Sequence, residues 1–136
     1  RRFEVHWEDE AAPESVAAVP TISGACFCMR RKDFQSVGGF DEGYFLHVED
    51  VDLCWRVRQA GGQVLFHPKA EVIHLGHTSQ ASAVTVEFHK GLGLARYFRK
   101  RSEKPFDRLL AWALSPFIVC TAVLRPMVWR LRGRAA

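Results

Sequence analysis

The sequence predicts an α/β fold, a small mixed sheet with flanking helices, followed by an amphipathic to hydrophobic helical tail. Three observations carry this. β-Branched and small apolar residues gather around Pro20 and Pro68, as they do in short strands. Apolar residues follow Asp50 at three- and four-residue steps, the spacing of one helix face. Leu109 to Leu124 is a run of sixteen residues without a charge. With 136 residues, the chain has the size of one ordinary domain and can bury a sizeable core.

Residues 1–15, with Glu8-Asp9-Glu10 and Pro13, show no sustained period and read as a solvated connecting segment. Val16 to Met29 reads as one or two short strands about Pro20, where Ser23-Gly24-Ala25 lets the backbone approach a ligand closely. Arg30 to Val37 forms a short helix closed by Gly38-Gly39. A second helix runs from about Asp50 to Ala60, because Leu53, Cys54, Val57 and Ala60 fall on one side, and Gly61-Gly62 ends it. Gln63 to Phe66 and Ala70 to His74 read as strands about Pro68, and Gly76 to Ser82 as a loop. Val84 to Lys100 is helical in pattern, although Gly91 and Gly93 weaken it. Residues 16–104 thus form one unit, and residues 105–136 a tail.

The uncharged run in the tail reaches only ~24 Å as a helix, short of the ~30 Å hydrocarbon core of a bilayer, and Pro116 and Pro126 are expected to interrupt it. Lys104 and Arg108 flank one end, Arg125, Arg130, Arg132 and Arg134 the other, with Trp112 and Trp129 near the margins. This pattern suits a helix lying in the headgroup region of an anionic leaflet. A true span, or a core or partner-contacting helix, are the alternatives. Charge agrees: residues 1–88 hold 8 Lys/Arg against 13 Asp/Glu, residues 89–136 hold 11 against 2. A basic half calls for an anionic partner. Its apolar content favours a membrane surface over nucleic acid, for which basic and aromatic residues interleaved at 96–101 are the whole support.

Four cysteines are too few for a disulfide scaffold and fit a reducing cytosol. Cys26 and Cys28, alternating on the expected strand, could join Cys54 in a zinc site or be small buried hydrophobes.

Gly38-Gly39-Phe40-Asp41-Glu42 and Glu49-Asp50-Val51-Asp52 crowd carboxylates among glycines and aromatics within fifteen residues. Asp50 stands where loop hands over to helix. It is the candidate general base, since a carboxylate within hydrogen-bond reach can take a hydroxyl proton; the plainer alternative is a helix cap. Asp52 is expected only to complement the helix dipole, a contribution of ~0.3–1 kcal/mol.

The motifs just quoted, continued by Gly43-Tyr44-Phe45, Leu53-Cys54-Trp55-Arg56 and Gly61-Gly62, resemble the C-terminal half of family 2 glycosyltransferases of the GT-A fold. Ser23-Gly24-Ala25-Cys26 and His74-Leu75-Gly76-His77-Thr78-Ser79 fit the same family, especially its bacterial rhamnosyltransferase-like members, so that the likeness covers roughly residues 20–101. The resemblance implies a partial GT-A fold and inverting transfer of a sugar, from a nucleotide-diphosphate sugar donor to a hydroxyl of a glycan or polyprenyl-linked acceptor. Asp50 would be the base. Gly24, Ala25, Asp41, Glu42, Glu49 and Arg96 would bind substrate, with Phe40, Tyr44 and Phe45 shaping the sugar pocket.

Arg96, with Arg99, Lys100 and Arg101, could meet a diphosphate, though a solvated basic face is the simpler reading. His74 would be a ligand of a divalent cation, Mn²⁺ or Mg²⁺, and His77 a lesser candidate, with Thr78 and Ser79 as possible diphosphate donors. The family's DxD acids should precede this region, yet no Asp-x-Asp occurs before Asp50-Val51-Asp52. The expectation is therefore an acceptor-side half, a fragment or truncated product, inactive alone and binding the cation only with a DxD-bearing half. It would be cytoplasmic, at the inner face of the plasma membrane. Two rivals are a metal hydrolase using His47, Asp50, Asp52, His74 and His77, without a tight ligand motif, and a non-catalytic binding module.

Overall fold

Gly61 leaves the second helix in the left-handed region (φ 79°), and Gly38 (φ 82°) does the same behind the first, where an L side chain would be strained. The computed structural model describes residues 13–73 and 81–131. Along these residues run β1 (Ala17–Ala18), α1 (Arg31–Ser36), α2 (Glu49–Gln59), β2 (Leu65–Phe66), α3 (Ala83–Arg101) and α4 (Pro105–Leu131).

The sheet is smaller than expected and not mixed. Among the described residues it is one antiparallel pair, with Ala17 opposite Phe66 and Ala18 opposite Leu65, prolonged by Val19 N–H to Val64 C=O at 2.9 Å. Residues 23–29 and 70–73 hold no strand. Their backbone groups are used otherwise: Gly24 N–H goes to the Asp50 carboxylate, and Ala70 N–H closes a turn onto His67 C=O.

Helix α2 is the centre of the packing, and it buries two faces rather than one. Cys54 and Val57 meet Val19, Ile22, Val64 and Phe66 of the sheet side. Val51 and Trp55, a four-residue step apart, meet Tyr44, Val48, Leu94 and Tyr97, so that α3 covers the other face. Ala60 is the exposed C-cap and takes no part in the core. Acids in the first turn and Arg56 and Arg58 in the last suit the helix dipole.

The glycines of α3 serve close approach, on opposite faces. A Cβ at Gly91 would lie 3.0 Å from Ala122 Cβ and 3.1 Å from Val119 Cα of α4, and one at Gly93 would lie 3.0 Å from Val48 Cγ2. The helix nonetheless runs unbroken, capped by Ser82 Oγ accepting from Thr85 N–H at 3.1 Å.

Helix α4 also departs from expectation, since it continues through Pro116 and Pro126. Ser115 Oγ donates to Ala111 C=O and Thr121 Oγ1 to Phe117 C=O, and α3 packs along α4, the support from a neighbouring helix that lets proline sit inside an apolar helix. Its stretch Pro105–Pro126 is 22 residues with a mean hydropathy of 1.6. That is about 33 Å, enough by length and composition to cross a bilayer.

Candidate active site

Asp50 sits in the first turn of α2, half-buried, and both carboxylate oxygens are oriented by main-chain donors. Oδ2 accepts Gly24 N–H at 2.7 Å and Oδ1 accepts Val51 N–H at 2.8 Å. A Cβ at Gly24 would stand 3.4 Å from Asp50 Cβ and Oδ2, so glycine lets the 23–25 loop lie against the acid. Ala25 N–H turns to Ser23 Oγ at 3.3 Å. The structure thus brings Gly24, Ala25, Glu49 and Asp50 into one neighbourhood. Asp50 is not the N-cap; that place is taken by Val48, without a side-chain cap bond. Glu49 Oε2 is buried with no hydrogen-bond partner among the described residues.

Asp41 and Arg96, expected to meet substrate separately, meet each other. Arg96 Nη2 donates to Asp41 at 2.8 and 3.1 Å, and Lys100 Nζ and Gly43 N–H add bonds of 2.7 and 2.9 Å. Burial pushes the Asp41 carboxyl up, but the bonds from Lys100, Arg96 and Gly43 outweigh it and hold the group far below the usual carboxylate range. The bond to Asp41 raises the Arg96 guanidinium in turn. Glu42 is exposed beside this pair.

Asp52, two residues past Asp50, is fully buried. It accepts from Tyr44 Oη at 3.2 Å, Arg56 Nε at 2.7 Å and Lys100 Nζ at 2.9 Å. Arg56 also reaches Val37 C=O behind α1. Burial, then the charge and bond of Asp52, drive the Tyr44 hydroxyl well above its usual value, so it stays a donor. The modest dipole role expected of Asp52 understates it. Lys100 and Tyr44 were not legible as its partners; the one local signal is the four-residue step from Asp52 to Arg56.

The basic row on α3 is divided in use. Arg96 and Lys100 face the acids, while Arg99 donates to Ser115 at 2.9 Å and lies 4.4 Å from the Trp112 ring on α4. Of the neighbouring aromatics, Tyr44 is buried, whereas Phe45 is 81% exposed and stacks on His89 at 4.5 Å.

His74, His77, Thr78 and Ser79 lie outside the described residues. Among the described residues no three His, Cys, Asp or Glu side chains converge on a metal position. Cys26 and Cys28 are exposed and Cys54 is buried in the core, which removes the basis for a zinc site among them.

The pattern of the Glycosyltransferase like family 2 matches residues 2–91. Over 130 residues the chain is 33% identical to the N-acetylglucosaminyl-diphospho-decaprenol L-rhamnosyltransferase of Mycobacterium tuberculosis, covering 96% of this chain and 37% of that protein. It is 37% identical over 99 residues to rhamnosyltransferase WbbL of Escherichia coli, covering 70% and 38%. With the succinoglycan biosynthesis protein ExoA of Rhizobium meliloti it shares 30% over 102 residues, covering 74% and 30%. The chain thus spans between 30% and 38% of the length of these relatives. No solved structure matches it. With the family pattern lying across both the 23–25 loop and the start of α2, the chain belongs to the family 2-like glycosyltransferases.

Proposed function

We propose that this chain is the acceptor-side part of an inverting glycosyltransferase of GT-A type, with Asp50 as the general base. The observation that carries the reading is the bond from Gly24 N–H to Asp50 Oδ2 at 2.7 Å. It holds the carboxylate in one orientation while leaving it half-exposed, and each oxygen keeps a lone pair for an acceptor hydroxyl. As the hydroxyl oxygen attacks the anomeric carbon, its proton passes to Asp50, and the nucleotide diphosphate leaves from the opposite face. Glu49, half-buried, and Glu42, exposed, supply acceptors for sugar hydroxyls nearby.

The names of two relatives make a nucleotide-diphosphate L-rhamnose the donor to test first, and an N-acetylglucosaminyl-diphospho-polyprenol the acceptor. A divalent cation belongs to the same reading, with His74 as its ligand alongside acids of a nucleotide-binding part.

The same reading places the chain at the inner face of the plasma membrane, with α4 lying on an anionic leaflet. Only 17% of its most apolar window is buried, and Lys104, Arg108 and Arg125 flank the uncharged run. Length alone would allow a span. Helix α3, however, packs along it and sets Arg99 against Ser115, mid-way along the apolar run, and Glu87 within 3.9 Å of Arg125. Crossing the bilayer in this arrangement would carry Arg99 into hydrocarbon, which favours an interfacial position.

The deciding experiment is Asp50→Asn in the transferase with this donor and acceptor. Turnover falls roughly 10²–10⁴-fold with donor binding kept; near-normal turnover removes Asp50 as base.

A further inference from the structure

Asp50 and Asp52 leave α2 in different directions, because two residues turn a helix by about 200°. One points to the Gly24 loop; the other points into the packing against α3. Between Asp41 and α2 the backbone passes through two consecutive left-handed residues, His47 (φ 63°) and Val48 (φ 72°). For β-branched Val48 that conformation is costly and persists only where the surroundings impose it.

The surroundings are specific. Val48 is 5% exposed and lies so near α3 that a Cβ at Gly93 would come within 3.0 Å of Val48 Cγ2 and 3.2 Å of His47 C=O. Lys100, seven residues along the same helix, donates to Asp41 at 2.7 Å and to Asp52 at 2.9 Å. It therefore ties both ends of the left-handed loop to α3. Val48 C=O in turn accepts Asp52 N–H at 2.9 Å, the first bond of α2. Where α2 begins, and so where the Asp50 backbone stands opposite Gly24, is set by this clasp.

We propose that Asp52, Lys100 and Gly93 are positioning residues that fix Asp50 for proton transfer without touching substrate. The inference rests on the reading of Asp50 as the base. A misplacement of about 1 Å at a reacting group costs on the order of 10²-fold in rate, so loosening the clasp should lower kcat and spare KM.

The test is steady-state kinetics of the transferase with nucleotide-diphosphate L-rhamnose and N-acetylglucosaminyl-diphospho-polyprenol, with kcat expressed per folded molecule. Lys100→Met and Gly93→Ala are each expected to lower kcat roughly 10–100-fold with both KM values within about twofold. Lys100→Arg, which keeps the charge and can bridge both acids, should restore most of it. Gly93→Ala touches no charge and remains informative if Lys100→Met fails to fold. If Lys100→Met does not fold, Lys100→Arg with near-normal kcat and Gly93→Ala with lowered kcat still support the proposal. Unchanged kcat per folded molecule in Gly93→Ala, or a raised KM with unchanged kcat, overturns it. Asp50→Asn run alongside separates the two claims: if it alone loses turnover, the base stands and the positioning role falls; if it too keeps turnover, the underlying reading falls.

Discussion

Helix α3 has two packed faces, and they are held by different physics. Toward the acid-bearing loop it offers Arg96 and Lys100, and a ladder of charge-assisted bonds runs through Asp41, Asp52, Tyr44 and Arg56. Toward α4 it offers Gly91, which closes on Val119 and Ala122, with Arg99 on Ser115 as the polar exception, and the small residues Ala95 of α3 and Ala111 of α4 are both buried. The first face is specified by hydrogen-bond direction and charge. The second is specified by shape, because small residues let the two backbones approach. One helix can therefore join a rigid polar site to an apolar surface.

Breaking the charged face should show the larger effect on stability. Asp52→Asn removes the one charge that Lys100 and Arg56 share in the interior, so denaturant unfolding should report a loss of about 3 kcal/mol, as for other broken buried pairs. A loss below ~1 kcal/mol, the size of a helix-dipole effect, would mean that Asp52 only complements its helix.

The shape-specified face should respond next. Gly91→Ala puts a methyl against Ala122 and the Val119 backbone; overpacking costs ~1–3 kcal/mol, and better helix propensity returns up to ~1. The expected net loss is ~1 kcal/mol by the same measurement. A gain in stability would show that α4 can move away freely.

A smaller effect is expected in acid. Because the folded Asp41 carboxyl titrates below its ordinary value of 3.8, its stabilisation is complete above that value and is lost as pH falls from there toward the folded value. Asp41→Asn should therefore flatten the acid limb below about pH 4 while lowering stability at neutral pH. An unchanged acid limb would contradict the clasp. Last, vesicle co-sedimentation should show binding to anionic but not neutral lipid, weakening as salt rises. Equal binding to both would leave α4 without an electrostatic role.

How far this was legible in the sequence follows the same division. Local signals worked: Gly61-Gly62 marks the end of α2, and the glycine pair after α1 marks its close. The prolines misled, because a break inferred from Pro116 and Pro126 ignores what supports an apolar helix from its side. The strands misled as well, since Gly24 N–H serves a carboxylate 26 residues away instead of a ladder. Lys100 joins Asp41 and Asp52 across 59 and 48 residues, and no periodicity reports a contact of that range. The acids were visible as a crowd; which of them is exposed to chemistry and which is buried depends on how α3 lies against α2.

Asp50 carries chemistry and Asp52 carries structure in this account, and measuring turnover per folded molecule together with unfolding free energy for Asp50→Asn and Asp52→Asn tests it most directly. A crossed pattern is predicted: Asp50→Asn loses roughly 10²–10⁴-fold in turnover with stability changed by less than ~1 kcal/mol, and Asp52→Asn has the greater loss of stability and the smaller loss of turnover. Near-normal turnover in Asp50→Asn, or losses in the two variants that run in parallel, would contradict it.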